Sequence, residues 1–202
     1  MNCVYSEGSA RANFRRISHK DMSQRFEAKQ WIAAPLPRVF AFFADPHNLP
    51  RIMPPGRGTR LETLKLVSPP FPAGAAPAGA EHMAGAGTEM TVALKVIPHV
   101  PMHERWTVVI TEFSLNHCFR DAQTQGPFKK WQHTHEFETK TVDGREGTLI
   151  HDVVEYEVGF GVIGRLLENL IFQRVLRTTF EYRKKALEKV FERKPSGADL
   201  SF

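Results

Sequence analysis

The chain has 202 residues, 42% hydrophobic and 24% charged, with a net charge of +5. These are ordinary values for one globular domain able to bury a sizeable core. The positive charge does not argue for nucleic acid: in residues 1–22 the bases Arg11, Arg15, Arg16 and Lys20 outnumber Glu7 and Asp21, and no dense basic run with interleaved aromatics follows.

Residues 1–22 are polar and aperiodic and read as a disordered tail, with Met22 as an alternative start just before the first strand. They hold no apolar stretch of secretory length, and no later segment approaches the ~20 apolar residues of a membrane span. Cys3 and Cys118 lie 115 positions apart, which gives no disulfide framework and no metal spacing. A cytoplasmic protein is expected, with its domain over residues 23–193.

From Arg25 a first strand sets Phe26, Ala28 and Gln30 against Glu27, Lys29 and Trp31, ending at Ile32-Ala33. Pro35 and Pro37 fit the first turn of a helix, where missing N–H groups cost nothing. Val39, Phe40, Phe42 and Phe43 supply its apolar face, and Asp45-Pro46 ends it. A short second helix is expected over His47–Ile52, closed by Met53-Pro54-Pro55-Gly56. Leu61 to Val67 alternates as a strand. Residues 68–86, rich in Pro, Gly and Ala, read as a loop, either a surface insertion or a flap over a cavity mouth. Strands are expected over Gly87–Val96, Glu104–Phe113 and His117–Gln123, with a turn at Pro98 and Pro101. Lys129–Thr141 and Arg145–Val158 read as a hairpin across Asp143-Gly144. The sequence is an antiparallel meander.

At Gly164 the period switches. Leu166, Leu167, Leu170, Ile171, Val175, Leu176, Phe180, Leu187, Val190 and Phe191 recur at spacings of 3, 4 and 7, which predicts an amphipathic helix of about 29 residues. Leu170 and Phe180 are expected on its sheet-facing side. Arg165, Arg174, Arg177, Arg183, Lys184 and Lys185 are read as its solvated counter-face, where transient membrane contact is the other use. Residues 194–202 read as a frayed tail.

The chemistry concentrates in the middle. Along the run from Trp131 to Phe137, period two puts Trp131, His133, His135 and Phe137 on one face and Gln132, Thr134 and Glu136 on the other. An aromatic face holding two imidazoles suits a small-molecule cavity better than a plain core, since each buried ring nitrogen needs a partner. The same parity groups Phe119, Asp121 and Gln123 on one neighbouring strand, and Ile150, Asp152, Val154 and Tyr156 on the other. Asp121 and Asp152 are thus expected inward, hydrogen-bonded to His133, His135 or Tyr156, with Trp106 and Trp131 as aromatic wall. The ligand-binding set read from the sequence is Trp106, Phe119, Asp121, Gln123, Trp131, His133, His135, Phe137, Asp152 and Tyr156.

The run F-x-D-x-Q from Phe119, then Gly126-Pro127-Phe128, W-x-H-x-H-x-F from Trp131, Gly147-Thr148 and D-x-V-x-Y from Asp152 resembles the ligand-binding, cyclase-like branch of the START/SRPBCC superfamily. That superfamily includes polyketide cyclase/dehydrase-like, coenzyme Q-binding and Bet v 1-like proteins. The resemblance spans roughly Phe26 to Phe191. It implies an α+β helix-grip fold, a curved antiparallel sheet wrapped around a long C-terminal helix with an internal cavity, and a hydrophobic small-molecule ligand such as a lipid, isoprenoid or polyketide.

Four uses of the interior polar groups stay open. They are a satisfied network that fixes strand register, recognition of the polar end of a greasy ligand, acid–base catalysis by His133 or His135 oriented by Asp121 or Asp152, and a metal site. H-x-H on a strand is weak evidence for the last, so neither metal nor cofactor is expected. No G-x-S-x-G nucleophile is present, and Gly56-Arg57-Gly58 and Gly159-Phe160-Gly161 lie in no βαβ unit. Binding of a hydrophobic or amphipathic molecule is the leading reading. A cyclase/dehydratase-like enzyme and a partner-docking protein are the alternatives.

Overall fold

The computed structural model describes residues 23–71, 76–77, 79–95, 103–158 and 162–192, with side chains in the last segment from Leu170 onward. The expectations for residues 1–22, the turn at Pro98 and Pro101, the tail 194–202, and the side chains of Arg165, Leu166 and Leu167 lie outside the described residues.

Seven strands form one antiparallel sheet: β1 (Gln24–Ile32), β2 (Arg60–Lys65), β3 (Glu89–Leu94), β4 (Glu104–Ser114), β5 (Cys118–Gln125), β6 (Phe128–Val142) and β7 (Arg145–Val158). Their order is β1-β7-β6-β5-β4-β3-β2, so every neighbour from β2 to β7 is sequential and β1 closes on β7. The hairpin turns where expected: Val142 pairs with Arg145, and Asp143 and Gly144 both take positive φ, 50° and 73°, the conformation that Asp-Gly accepts at low cost. Gly147 is equally constrained. A Cβ there would lie 2.7 Å from the Trp31 ring and closer still to the Ile32 carbonyl, while Thr148 donates to the Ala34 carbonyl at 2.8 Å. The Gly-Thr pair locks the β1–α1 corner onto β7.

The helix α1 (Leu36–Ala44) starts after Pro35, with Pro37 in its first turn, and stops at Asp45. The next segment, Pro46–Ile52, is a 3-10 helix. Pro50, inside the segment, lacks the N–H that a regular α-helix would use there. A further 3-10 turn, Pro55–Arg57, ends at Gly58 with φ 56°. The final helix α2 (Val162–Glu192) confirms the change of period.

The phase of α2 differs from expectation. Phe172, Val175, Leu176 and Leu187 are buried, whereas Leu170 is 61% and Ile171 45% exposed. Ten residues at 3.6 per turn set Leu170 and Phe180 about 80° apart, so both cannot lie at the centre of one face. Phe180 does face the sheet, with its ring 5.1 Å from that of Phe26. Arg183, read as solvated, is 8% exposed. The loop reading also needs revision at its C-terminal end. Met83, Ala84 and Gly85 are buried, Ala84 N–H donates to the Ala44 carbonyl at 2.9 Å and Gly85 N–H to the Val67 carbonyl at 2.8 Å. That end is a structural strut between α1 and β2. Cys118 is buried. No helix among the described residues is long and apolar enough to cross a membrane.

Two apolar clusters fill the inside of the sheet. One joins α1 to the sheet through Val39, Phe40, Phe119, Phe137, Ile150 and Leu187. The other gathers Phe128, Trp131, Val154 and Tyr156 under Phe172, Val175 and Leu176 of α2.

Candidate functional site

Between the two clusters lies a group of polar side chains, positioned by strand register. Asp121 pairs with His133 and Phe119 with His135 across β5 and β6. His135 in turn pairs with Asp152 across β6 and β7. Directly opposed residues share a sheet face, so Asp121, His133, His135 and Asp152 all stand on the concave side. His133, His135 and Asp152 are 9%, 6% and 6% exposed.

Asp152 is the hub. Its Oδ1 lies 3.0 Å from His133 Nε2 in an aligned hydrogen bond. The same oxygen lies 2.6 Å from His135 Nδ1, although that nitrogen lacks the alignment of a hydrogen bond. Arg183 Nη2 approaches the oxygen from α2 at 3.7 Å. The guanidinium is held over the rings of Phe43 and Phe180, 4.7 and 5.3 Å from their centroids, a cation–π clamp.

The electrostatics follow from this packing. Burial opposes the charge on Asp152, but Arg183, His135 and the hydrogen bond from His133 outweigh it and hold the carboxyl well below its usual range. Burial drives His135 down to about 3, helped by His133 and Arg183 and opposed by Asp152. At neutral pH His135 is therefore an uncharged imidazole beside an ionised Asp152. Asp121 moves the other way. Burial raises it, against His133, Trp131 and Arg183.

Asp121 is inward as expected, but it is not hydrogen-bonded to either imidazole. Its Oδ2 stands 4.0 Å from His133 Nδ1 and 3.8 Å from His135 Nε2, beyond hydrogen-bond reach. Tyr156 joins neither acid. Its ring packs on Phe172 and Phe128, with centroids 4.9 and 6.4 Å away.

Asp121, His133, His135 and Arg183 line a cavity of about 190 Å³. Val92, Leu94, Val108 and Ile110 form one wall, Phe42 and Phe43 of α1 another, and Phe172, Leu176 and Phe180 the roof. Of the residues read from the sequence, Trp106, Phe119, Asp121, Trp131, His133 and His135 line it. Asp152 stands behind the histidines and lines instead an outer cleft between β1 and α2. Gln123, Phe137 and Tyr156 do not line the cavity. The Gln123 amide donates to the Phe128 carbonyl at 2.6 Å and closes the β5–β6 turn, and Phe137 belongs to the packed cluster around Phe40.

Two cations in the cavity wall escaped the sequence reading. Arg183 carries a signal in hindsight: Leu176, Phe180, Arg183 and Leu187 keep the 4-3-4 spacing of one helix face. Arg57 carries none, since it lies on a short 3-10 turn. It is 5% exposed and donates to the Lys95 carbonyl at 2.9 Å and to Thr179 Oγ1 at 3.1 Å. Thr59 and Trp106 also line the cavity, and Thr59 Oγ1, Trp106 Nε1 and Arg183 Nε are buried without a hydrogen-bond partner. Asp121, His133 and His135 bring three metal-ligating atoms within 4.8 Å of one another.

The family model described as polyketide cyclase / dehydrase and lipid transport matches residues 32–181. No curated protein matches the chain by sequence. Among solved structures, TTHA0849 from Thermus thermophilus is 21% identical with a TM-score of 0.59, over 86% of this chain and 100% of that one. The Zhui aromatase/cyclase from Streptomyces sp. R1128 is 14% identical with a TM-score of 0.59, over 87% and 98%. A START superfamily protein from Mycobacterium smegmatis is 14% identical with a TM-score of 0.55, over 83% and 97%. At these identities the likeness establishes the fold, a helix-grip sheet closed by a C-terminal helix.

Proposed function

The chain belongs to the polyketide cyclase / dehydrase and lipid transport family of the START/SRPBCC superfamily, and on that premise we propose that it binds a compact hydrophobic or amphipathic molecule, polar end toward His133, His135 and Arg183. The observation that carries this reading is an apolar cavity with a few polar side chains, Asp121, His133, His135 and Arg183, set in its wall. Two guanidinium groups in the wall, Arg57 and Arg183, favour a carbonyl, phenolate or carboxylate over an ammonium as the polar end of the organic ligand.

Size limits the ligand. The cavity, about 190 Å³, lies below the ~300–1,000 Å³ usual for drug-sized pockets. It suits a small ring system, or the reactive end of a longer chain whose remainder passes through the mouth. Transport, sequestration and presentation of such a molecule all use this arrangement.

A second reading, acid–base catalysis on an enolisable ligand, is favoured by one feature. His133 lines the cavity while its other nitrogen is hydrogen-bonded to Asp152 at 3.0 Å, and such a dyad fixes tautomer and orientation. Native mass spectrometry of protein from its own host, followed by organic extraction, tests the binding reading. Retention of one compound, lost in Arg183→Met, is the expected result. Absence of any compound, together with no enhancement of anilinonaphthalene sulfonate fluorescence, would reject it. Turnover of a poly-β-keto substrate by wild type, abolished in His133→Ala, would put catalysis ahead of binding.

A further inference from the structure

H-x-H on a strand offers two donors, and the register adds what that pattern lacks. We propose that Asp121 Oδ2, His133 Nδ1 and His135 Nε2 form a binding site for one divalent transition-metal ion on the cavity floor. The acid stands 4.0 and 3.8 Å from the two nitrogens, too far for a shared proton and suited to an ion between them. Donors about 2.0–2.2 Å from a tetrahedral ion lie about 3.4 Å apart, and the three ligand atoms here lie within 4.8 Å of one another, so the side chains close in by up to about 1.4 Å when the ion binds.

The His133 tautomer agrees with this geometry. Asp152 Oδ1 faces His133 Nε2 at 3.0 Å and His135 Nδ1 at 2.6 Å. The aligned bond places the proton of His133 on Nε2 and leaves the lone pair of Nδ1 facing Asp121. A carboxylate behind a metal-bound imidazole is the usual outer support of such centres. Here Asp152 hydrogen-bonds the His133 ring and stands beside the His135 ring without an aligned bond. All three donors line the cavity, so the remaining coordination positions open toward whatever occupies it. Two imidazoles and one carboxylate suit zinc, iron, cobalt or nickel, and not calcium or magnesium, which prefer oxygen. Arg183 near Asp152 opposes a cation, and the two acids together offset it.

The site does not depend on the identity of the organic ligand, and its test uses a metal alone. Tag-free full chain is treated with chelator, desalted and titrated with Co²⁺, with absorbance and isothermal calorimetry as readouts. One equivalent with intense visible d–d bands is expected. Asp121→Asn and His135→Gln should each weaken binding at least tenfold, and Asp152→Asn by about 10–100-fold through the imidazole it orients. His47 and His82, with ring centroids 6.3 Å apart at the surface, are the competing site and are removed together in a control. Absence of the bands in wild type would overturn the assignment, as would equal affinity in Asp121→Asn and His135→Gln, or loss confined to the His47/His82 control. Should a variant fail to fold, imidazole ¹⁵N shifts of wild type with Zn²⁺ decide: His133 Nδ1 and His135 Nε2 must move, and unmoved nitrogens would reject the site.

Discussion

β6 and β7 run side by side through two interiors of different kind. Toward the hairpin turn, Phe137 and Ile150, directly paired, sit in a solid apolar cluster. The ring of Phe40 meets those of Phe113, Phe119 and Phe137 edge-on, 5.5, 6.0 and 5.2 Å away. Two positions further along each strand, His135 and Asp152 face each other beside a cavity. Backbone, pairing and sheet face are the same in both places. What changes is the cover: α1 packs its phenylalanines into the sheet at one end, while over the histidines the walls stand apart. Along these two strands the facing imidazole and carboxylate stand beside the cavity, and apolar side chains stand where hydrocarbon fills the space.

The sharpest way to break this comparison is to open a hole in the solid region. Phe40 is fully buried, so Phe40→Ala should cost about 3–5 kcal/mol, measured by urea unfolding with an unchanged m-value. Dye uptake by the folded fraction should persist, because Phe40 does not line the cavity. A cost below ~1 kcal/mol would mean that the two interiors are equally loose.

The solid region was the more legible of the two. Alternation placed Phe137 and Ile150 inward, Asp-Gly fixed the hairpin, and the change of period located the final helix. Parity also turned His133, His135, Asp121 and Asp152 inward, since side-chain direction in a strand is a matter of counting. It could not give their distances. Whether Asp121 bonds an imidazole or stands 3.8 Å away depends on sheet curvature and rotamers, which no spacing encodes. Arg183 was misread for a related reason. On a helix rich in basic residues, the one that turns inward is chosen by its partner, and Asp152 belongs to another element. Leu170 shows the converse, an apolar residue in a plausible stripe that the helix phase leaves in solvent.

Acid should separate the two interiors next. His135 is held down to about 3, so the unfolded chain, near 6.5, takes up the proton first. Its contribution is fully present above about pH 6.5 and is lost as pH falls toward 3. Asp152, also depressed, acts with the same sign below its unfolded value. Asp121, raised by burial, acts with the opposite sign and softens the slope. With chelator present, wild type should lose about 2–3 kcal/mol more than His135→Gln between pH 7 and pH 4, at about 1.4 kcal/mol per unit. Parallel pH profiles for the two proteins would show that His135 is hydrated and not desolvated by its surroundings.

The smallest expected effect is the most discriminating. Enlarging a side chain inside a packed core forces neighbours off their rotamers and costs about 1–3 kcal/mol, whereas added atoms in a void gain contacts that its lining lacks. Ile150 is 1% exposed in the solid cluster and Val108 is 8% exposed on the cavity wall. Ile150→Phe should therefore destabilise by about 1–3 kcal/mol and leave dye binding by the folded fraction intact. Val108→Phe should change stability by less than about 1 kcal/mol and abolish dye binding, since the new ring takes space from a cavity of about 190 Å³. Thermal unfolding and fluorescence titration of the two variants measure both quantities. If Val108→Phe proves as destabilising as Ile150→Phe, the walls around the histidines are already in contact and the contrast between the two interiors fails. If Val108→Phe folds normally yet still takes up dye, the cavity is real and the dye binds elsewhere.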